Sequence, residues 1–306
     1  MRKITRLGLL LLAAGACSRG GSPRPPAPVP APRLTLPIEL RFVAVGDTGT
    51  AGPEQFQVGR AMAAKCRVER CDFALLLGDN FYPDGVTSAD DPQWRTKFEE
   101  PYAELLSAGV SFYAVLGNHD YAETDFTRGA HQVARSQADP RFVMPATHYT
   151  FERPPVRFVA LDTQKLVSQD DAYAEQETLL PSVSAASGPR PWVIAAGHHP
   201  YLSNGPNGNA PPRLARFLEN VMCPRADVYL AGHDHNLQLL TAPGCNALLV
   251  VAGGGGYTTY ALPGAQPALF QAQSLGFAYV VVTPTRLRVE LINASGQPLF
   301  AHEVSR

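Results

Sequence analysis

Asp227-Val-Tyr-Leu-Ala-Gly-His-Asp-His-Asn236 is the stretch from which the fold can be read. The apolar run up to Ala231 reads as a buried strand, and Gly232 closes it. His233 and His235 follow at a spacing of two. In extended backbone, residues i and i+2 share a face, and a bend after the glycine lets the two rings diverge toward neighbouring ions. Taken alone, the doublet fits two surface histidines beside a turn equally well.

Working outward, the same pattern of strand, glycine and polar side chain recurs. Leu40 to Val45 is a strand candidate ending at Gly46-Asp47-Thr48-Gly49, and Phe73 to Leu77 ends at Gly78-Asp79-Asn80-Phe81-Tyr82. Ser111 to Leu116 stops at Gly117-Asn118-His119-Asp120, and Trp192 to Ala196 stops at Gly197-His198-His199-Pro200. Helical patterns lie between them, from Pro53, from Gln93 to Leu105 with a break at Pro101, from Ala172 to Leu180, and from Pro211 to Val221. Val156 to Leu161, Ala247 to Val251, Phe277 to Val282 and Leu287 to Ile292 add further strands. Alternation of this kind predicts an α/β domain, whose site lies beyond the carboxyl ends of the strands. Each terminal Asp, Asn or His is an ordinary turn residue by itself. Five of them, each beside a glycine, point to a metal centre.

Composition narrows the function. With 306 residues, 45% of them apolar and 17% charged, the chain can build a large core. Its formal net charge is −1 and no basic run occurs beyond the N-terminus, which excludes a nucleic-acid surface. Met1 to Arg6 is basic, Leu7 to Ala14 apolar and Gly15-Ala16-Cys17 small, the order of a secretory signal ending in a lipidated Cys17. Residues 18–37 hold nine Pro and Gly and read as a tether, leaving 38–306 as one catalytic domain with no internal repeat. The expected location is exported, periplasmic or anchored to the outer membrane of a bacterium, and the expected state is a monomer. Cys66 with Cys71, and Cys223 with Cys245, are the disulfides that nearness in sequence favours.

The blocks Asp47-x-Gly49, Gly78-Asp79-x-x-Tyr82, Gly117-Asn118-His119-Asp120, Gly197-His198 and Gly232-His233-x-His235 resemble the purple acid phosphatase family, within the calcineurin-like metallophosphatases. The stretches from Gly78 to Val86 and from Gly232 to Asn236 are similar to the small, tartrate-resistant animal type. The resemblance implies two mixed β-sheets packed as a sandwich with helices outside. It implies a ferric ion held by Asp47, Asp79, Tyr82 and His235, and a divalent ion (Fe, Zn or Mn) held by Asp79, Asn118, His198 and His233. Hard anionic oxygens suit the trivalent ion, and imidazole with an amide oxygen suits the divalent one. Two ions about 3.5–4 Å apart clamp a phosphoryl group and supply a metal-bound hydroxide for in-line attack.

His119 is the expected general acid and a contact to a small phosphorylated substrate, beside Asn118. Asp120 is either its orienting partner or a turn residue. Where the animal type carries a histidine nine residues after His198, this chain has Asn207, which cannot donate a proton at acid pH; His199 is the candidate replacement, with a turn role as its alternative. Gly253 to Gly256 reads as a tight loop near the site, Asp162 as a turn residue, and His131, His148 and His302 as structural. Rival readings are a phosphodiesterase or nucleotide pyrophosphatase on the same centre, and a surface protein that binds metal or phosphate without turnover.

Overall fold

The computed structural model describes residues 38–180 and 190–306, so the signal with Cys17 and the tether lie outside the described residues. The described part belongs to one compact unit. Its strands, in chain order, are β1 (Leu40–Val45), β2 (Phe73–Leu77), β3 (Phe112–Val115), β4 (Phe142–Val143), β5 (Tyr149–Arg153), β6 (Val156–Ala160) and β7 (Trp192–Ala196). There follow β8 (Val228–Ala231), β9 (Leu237–Leu240), β10 (Leu248–Ala252), β11 (Ala268–Ala272), β12 (Gly276–Val282), β13 (Arg286–Asn293) and β14 (Pro298–Ser305).

They form two seven-stranded sheets, ordered β14-β13-β12-β1-β2-β3-β4 and β11-β9-β10-β8-β7-β6-β5. Both are mixed, as expected. β1, β2, β3 and β4 run parallel in the first, and β6, β7, β8 and β10 in the second. β2, β7, β8 and β10 are buried along their whole length, which is why they read as unbroken apolar runs.

Period-two alternation assigns each face of the second sheet. Val156, Phe158, Ile194, Val228 and Leu230 enter the core shared with the first sheet. Val159, Val193, Ala195 and Tyr229 enter a separate core with Leu214, Phe217 and Val221. The seam between the sheets is aromatic: Phe73 stacks on Phe42 at 4.9 Å and meets Phe158 edge-on at 5.4 Å, and Phe151 stacks on Tyr113 at 3.9 Å.

The helices are α1 (Pro53–Glu69), α2 (Ala103–Ser107), α3 (Gly129–Ala138), α4 (Thr163–Ser168), α5 (Ala172–Glu177) and α6 (Pro212–Phe217). The helix expected from Gln93 to Leu105 breaks at Pro101 into a π-turn over Arg95–Glu99 and α2. The helix expected over Pro211 to Val221 similarly divides into α6 and a π-turn over Leu218–Met222. Both expected disulfides are formed. No described helix is long and apolar enough to cross a membrane.

Candidate active site

Parallel strands of both sheets end at one place. β1 and β2 deliver Asp47 and Asp79, β3 delivers Asn118 and His119, β7 delivers His198, and β8 delivers His233 and His235. Asp47, Asp79 and His233 sit at φ +62°, +53° and +70°, in the left-handed region that non-glycine residues seldom occupy. Such backbone costs on the order of 1–3 kcal/mol per residue and concentrates at functional sites. Hydrogen bonds between the strand ends hold it: Asp47 N donates to Gly78 O at 3.0 Å, and His233 N donates to Asp47 Oδ2 at 2.8 Å. Gly117 is required by closeness, since a Cβ there would lie 2.1 Å from Asp79 Oδ1.

The side chains gather in two clusters. In one, Tyr82 Oη is 3.1 Å from Asp47 Oδ1 and 3.2 Å from His235 Nε2, and His235 Nε2 is 3.4 Å from Asp47 Oδ1. In the other, His198 Nε2 is 3.1 Å from Asn118 Oδ1, 3.1 Å from His233 Nδ1 and 3.4 Å from Asp79 Oδ2. Asp79 lies between them, one ligand atom each of Asp47, Asp79 and His198 falling within 4.8 Å of one another. For metal–ligand bonds of about 2.0–2.2 Å, the edges of an octahedron or tetrahedron are roughly 2.8–3.6 Å. The donor atoms of both clusters are spaced like such edges, so the residues fit a pair of ions.

The surroundings fix which atom faces inward. His198 Nδ1 is 2.9 Å from Leu77 O and His235 Nδ1 is 2.9 Å from Thr258 O; donation to these carbonyls makes Nε2 the lone-pair atom of each ring in its neutral form, the form that binds a metal. Asn118 Nδ2 donates to Glu123 Oε1 at 2.7 Å, which turns Oδ1 into the site. Glu123, itself at φ +68°, was not evident from the sequence because it follows the Gly-Asn-His-Asp block without a glycine or strand end of its own.

Charge balance points the same way. Burial favours a neutral Asp79, but the imidazoles of His198, His119 and His233 outweigh it and hold the carboxyl below the usual range. Burial would lower His198, yet Asp79 above all raises it to about 9, while burial and His198 push His233 down to about 3. Burial, then Asp47 and Asp79, drive the Tyr82 phenol far above its ordinary value, so only a bound cation can make it a phenolate.

The remaining expected residues divide. His119 borders the centre, its ring 4.5 Å from that of Tyr82, with Nδ1 at 2.7 Å from Pro83 O. Pro83 O therefore orients the ring. The buried Asp120 carboxylate instead accepts from the amides of Asn80, Phe81 and Gly117 and from Gln132 Nε2, tying the ends of β2 and β3 together. These are bonds to the turn, and none of them reaches the His119 ring. His199 is buried with Nδ1 2.9 Å from Thr163 Oγ1; burial, with His233 and His198, holds it well below the usual histidine range and so neutral. Asn207 donates Nδ2 to His233 O at 2.9 Å, bracing the loop that carries the two histidines. Gly253 to Gly256 packs against the site, a Cβ at Gly253 falling 2.6 Å from Asp47 Oδ2. Asp162 caps α4 through Lys165 N and accepts from Tyr121 Oη at 2.5 Å. His131, His148 and His302 lie on α3, ahead of β5 and on β14.

Two mixed sheets whose parallel strands end in paired clusters of carboxylate, phenol and imidazole groups define a dinuclear metallophosphatase. The chain belongs to the calcineurin-like phosphoesterase family, which it matches over residues 40–237. It is 30% identical over 308 aligned residues to tartrate-resistant acid phosphatase type 5 of Sus scrofa, covering 87% of each chain. It is 27% identical to purple acid phosphatase 4 of Arabidopsis thaliana, covering 87% of this chain and 84% of the relative. Among solved structures, GAP50, the anchor in the inner membrane complex of Plasmodium, superposes with a TM-score of 0.72 at 23% identity, over 88% of this chain and 89% of the other, which establishes likeness of fold.

Proposed function

We propose that this chain is an exported dinuclear-metal acid phosphatase that hydrolyses phosphate monoesters. The observation that carries the reading is the pair of donor clusters on either side of Asp79, each with its inward atoms selected by hydrogen bonds to the outward ones. Asp47, Asp79, Tyr82 and His235 would hold a ferric ion, and Asp79, Asn118, His198 and His233 a divalent Fe, Zn or Mn. When bound, the ions supply Lewis acidity toward the phosphoryl group and toward water. His119, steadied at Nδ1 by Pro83 O, carries on Nε2 the proton for the departing alkoxide. Kinship with tartrate-resistant and purple acid phosphatases supports the choice of monoesters. The two disulfides support export, with residues 1–17 as the signal and Cys17 as the lipidated residue of a periplasmic or outer-membrane-anchored protein.

The test is metal analysis with a visible spectrum, run beside turnover of an aryl phosphate and of its bis-aryl diester. The expected protein is pink to purple when oxidised, holds iron and prefers the monoester, and Tyr82→Phe loses the colour while staying folded. A colourless wild type with two divalent ions would overturn the iron assignment, and a preference for the diester would overturn the substrate class.

A further inference from the structure

Beside the two clusters lies a groove of about 700 Å³. Tyr257 joins it to the centre: its ring is 4.5 Å from that of Tyr82 and 5.0 Å from His235, yet the residue is 41% exposed. The described lining carries the amides of Gln57 and Gln273, the hydroxyls of Thr50, Thr259 and Ser295, and a single charged side chain, Glu54. With no Lys, Arg or His among these lining residues, it offers a phosphate no cationic partner. A flat aromatic face flanked by amides and hydroxyls suits an uncharged, planar group with hydrogen-bonding edges.

We propose that the groove is a leaving-group subsite for the nucleoside of a nucleoside 5′-monophosphate, with the base laid against Tyr257 and its edges facing Gln57 and Gln273. This rests on the monoesterase reading above. In the reaction, the oxygen of water bonds to phosphorus, the ester P–O bond breaks and the 5′-oxygen takes a proton, giving nucleoside and inorganic phosphate. Glu54 makes the subsite selective against leaving groups that are themselves anionic, such as the nucleotide released when a nucleoside diphosphate loses its terminal phosphate.

The experiment compares kcat/KM of the metal-loaded enzyme for adenosine monophosphate, adenosine diphosphate and methyl phosphate. Loss of a base–aromatic stack predicts that Tyr257→Ala lowers the value for adenosine monophosphate roughly 5- to 150-fold more than that for methyl phosphate. Tyr257→Phe should keep most of the preference, and Glu54→Gln should raise the diphosphate relative to the monophosphate by about two- to fivefold. Equal losses for adenosine monophosphate and methyl phosphate in Tyr257→Ala, or no change of ratio in Glu54→Gln, overturn the subsite. Failure of the wild type to turn over any monoester overturns the phosphatase reading instead; adenosine binding to wild type and Tyr257→Ala, measured by calorimetry, then still decides the subsite.

Discussion

Replacing Gly117 by alanine tests whether the position of Asp79 is what holds the site together. The new Cβ would stand 2.1 Å from Asp79 Oδ1 and 2.5 Å from Asp79 N, whereas ordinary contact begins at 3.4 Å, so the carboxylate or the end of β3 must retreat by about 1.3 Å. The backbone of Gly117 is not in the left-handed region, so conformational strain plays no part. A displacement of about 1 Å at a reacting centre is worth on the order of 10²-fold in rate. Overpacking of this kind costs about 1–3 kcal/mol, roughly 2–10 °C in Tm for a domain of this size. Gly117→Ala should therefore fold, lose at least one metal equivalent, and lose about 100-fold in kcat/KM. Gly109→Ala is the control: at φ +80° with nothing within 4 Å, it should lose about 1–2 kcal/mol of stability and no metal. Thermal unfolding, metal analysis and aryl phosphate kinetics on both variants decide the matter. A Gly117→Ala enzyme with both ions and activity within about threefold of wild type would refute the reasoning.

Two further outcomes follow from single residues. His119→Ala should keep its metals and lose about 10²–10⁴-fold in kcat on alkyl phosphates, with a smaller loss on aryl phosphates whose leaving groups need no proton; equal losses would make His119 a phosphate ligand only. Asp139 is held down to about 2, chiefly by its hydrogen bond with Arg141 and against the effect of burial. Its folded value lies below its unfolded one, so the stabilisation is full above about pH 4 and fades as pH falls toward 2. Asp139→Asn should thus unfold more easily than wild type at pH 5 in urea, with the gap closing below pH 4; a gap independent of pH would refute the ion-pair origin.

What could be read in the sequence followed from chemistry confined to a few consecutive residues. A buried parallel strand needs an apolar run, its end needs a turn, and a ligand beside that turn needs a small neighbour, so Gly78-Asp79 or Gly232-His233 announces all three. The partners that orient the ligands left no such mark. Leu77, Thr258 and Pro83 act through backbone carbonyls, which every residue possesses, and Glu123 acts from a loop. α3 escaped for a related reason: its buried side includes Gln132, bonded to Asp120 and Asn80, where an amphipathic pattern calls for an aliphatic residue. Pairing of β1 with β12 joins Leu40 to Val282, a separation at which local pattern carries no information.

The two sheets approach closely where they have least side chain to offer, with a Cβ on Gly46 only 3.0 Å from Gly232 Cα and Gly46 N donating to Ala252 O at 2.8 Å. Asp47, Asp79 and Asn118 arrive there from one sheet and His198, His233 and His235 from the other. Neither half of the sandwich carries a complete donor set, so a chain in which one sheet has come away has no high-affinity site to offer. Cations held across the joint then act as a clasp whose grip grows with the logarithm of their free concentration, and chelation should be felt as resistance to unfolding well before it is felt in the shape of either sheet.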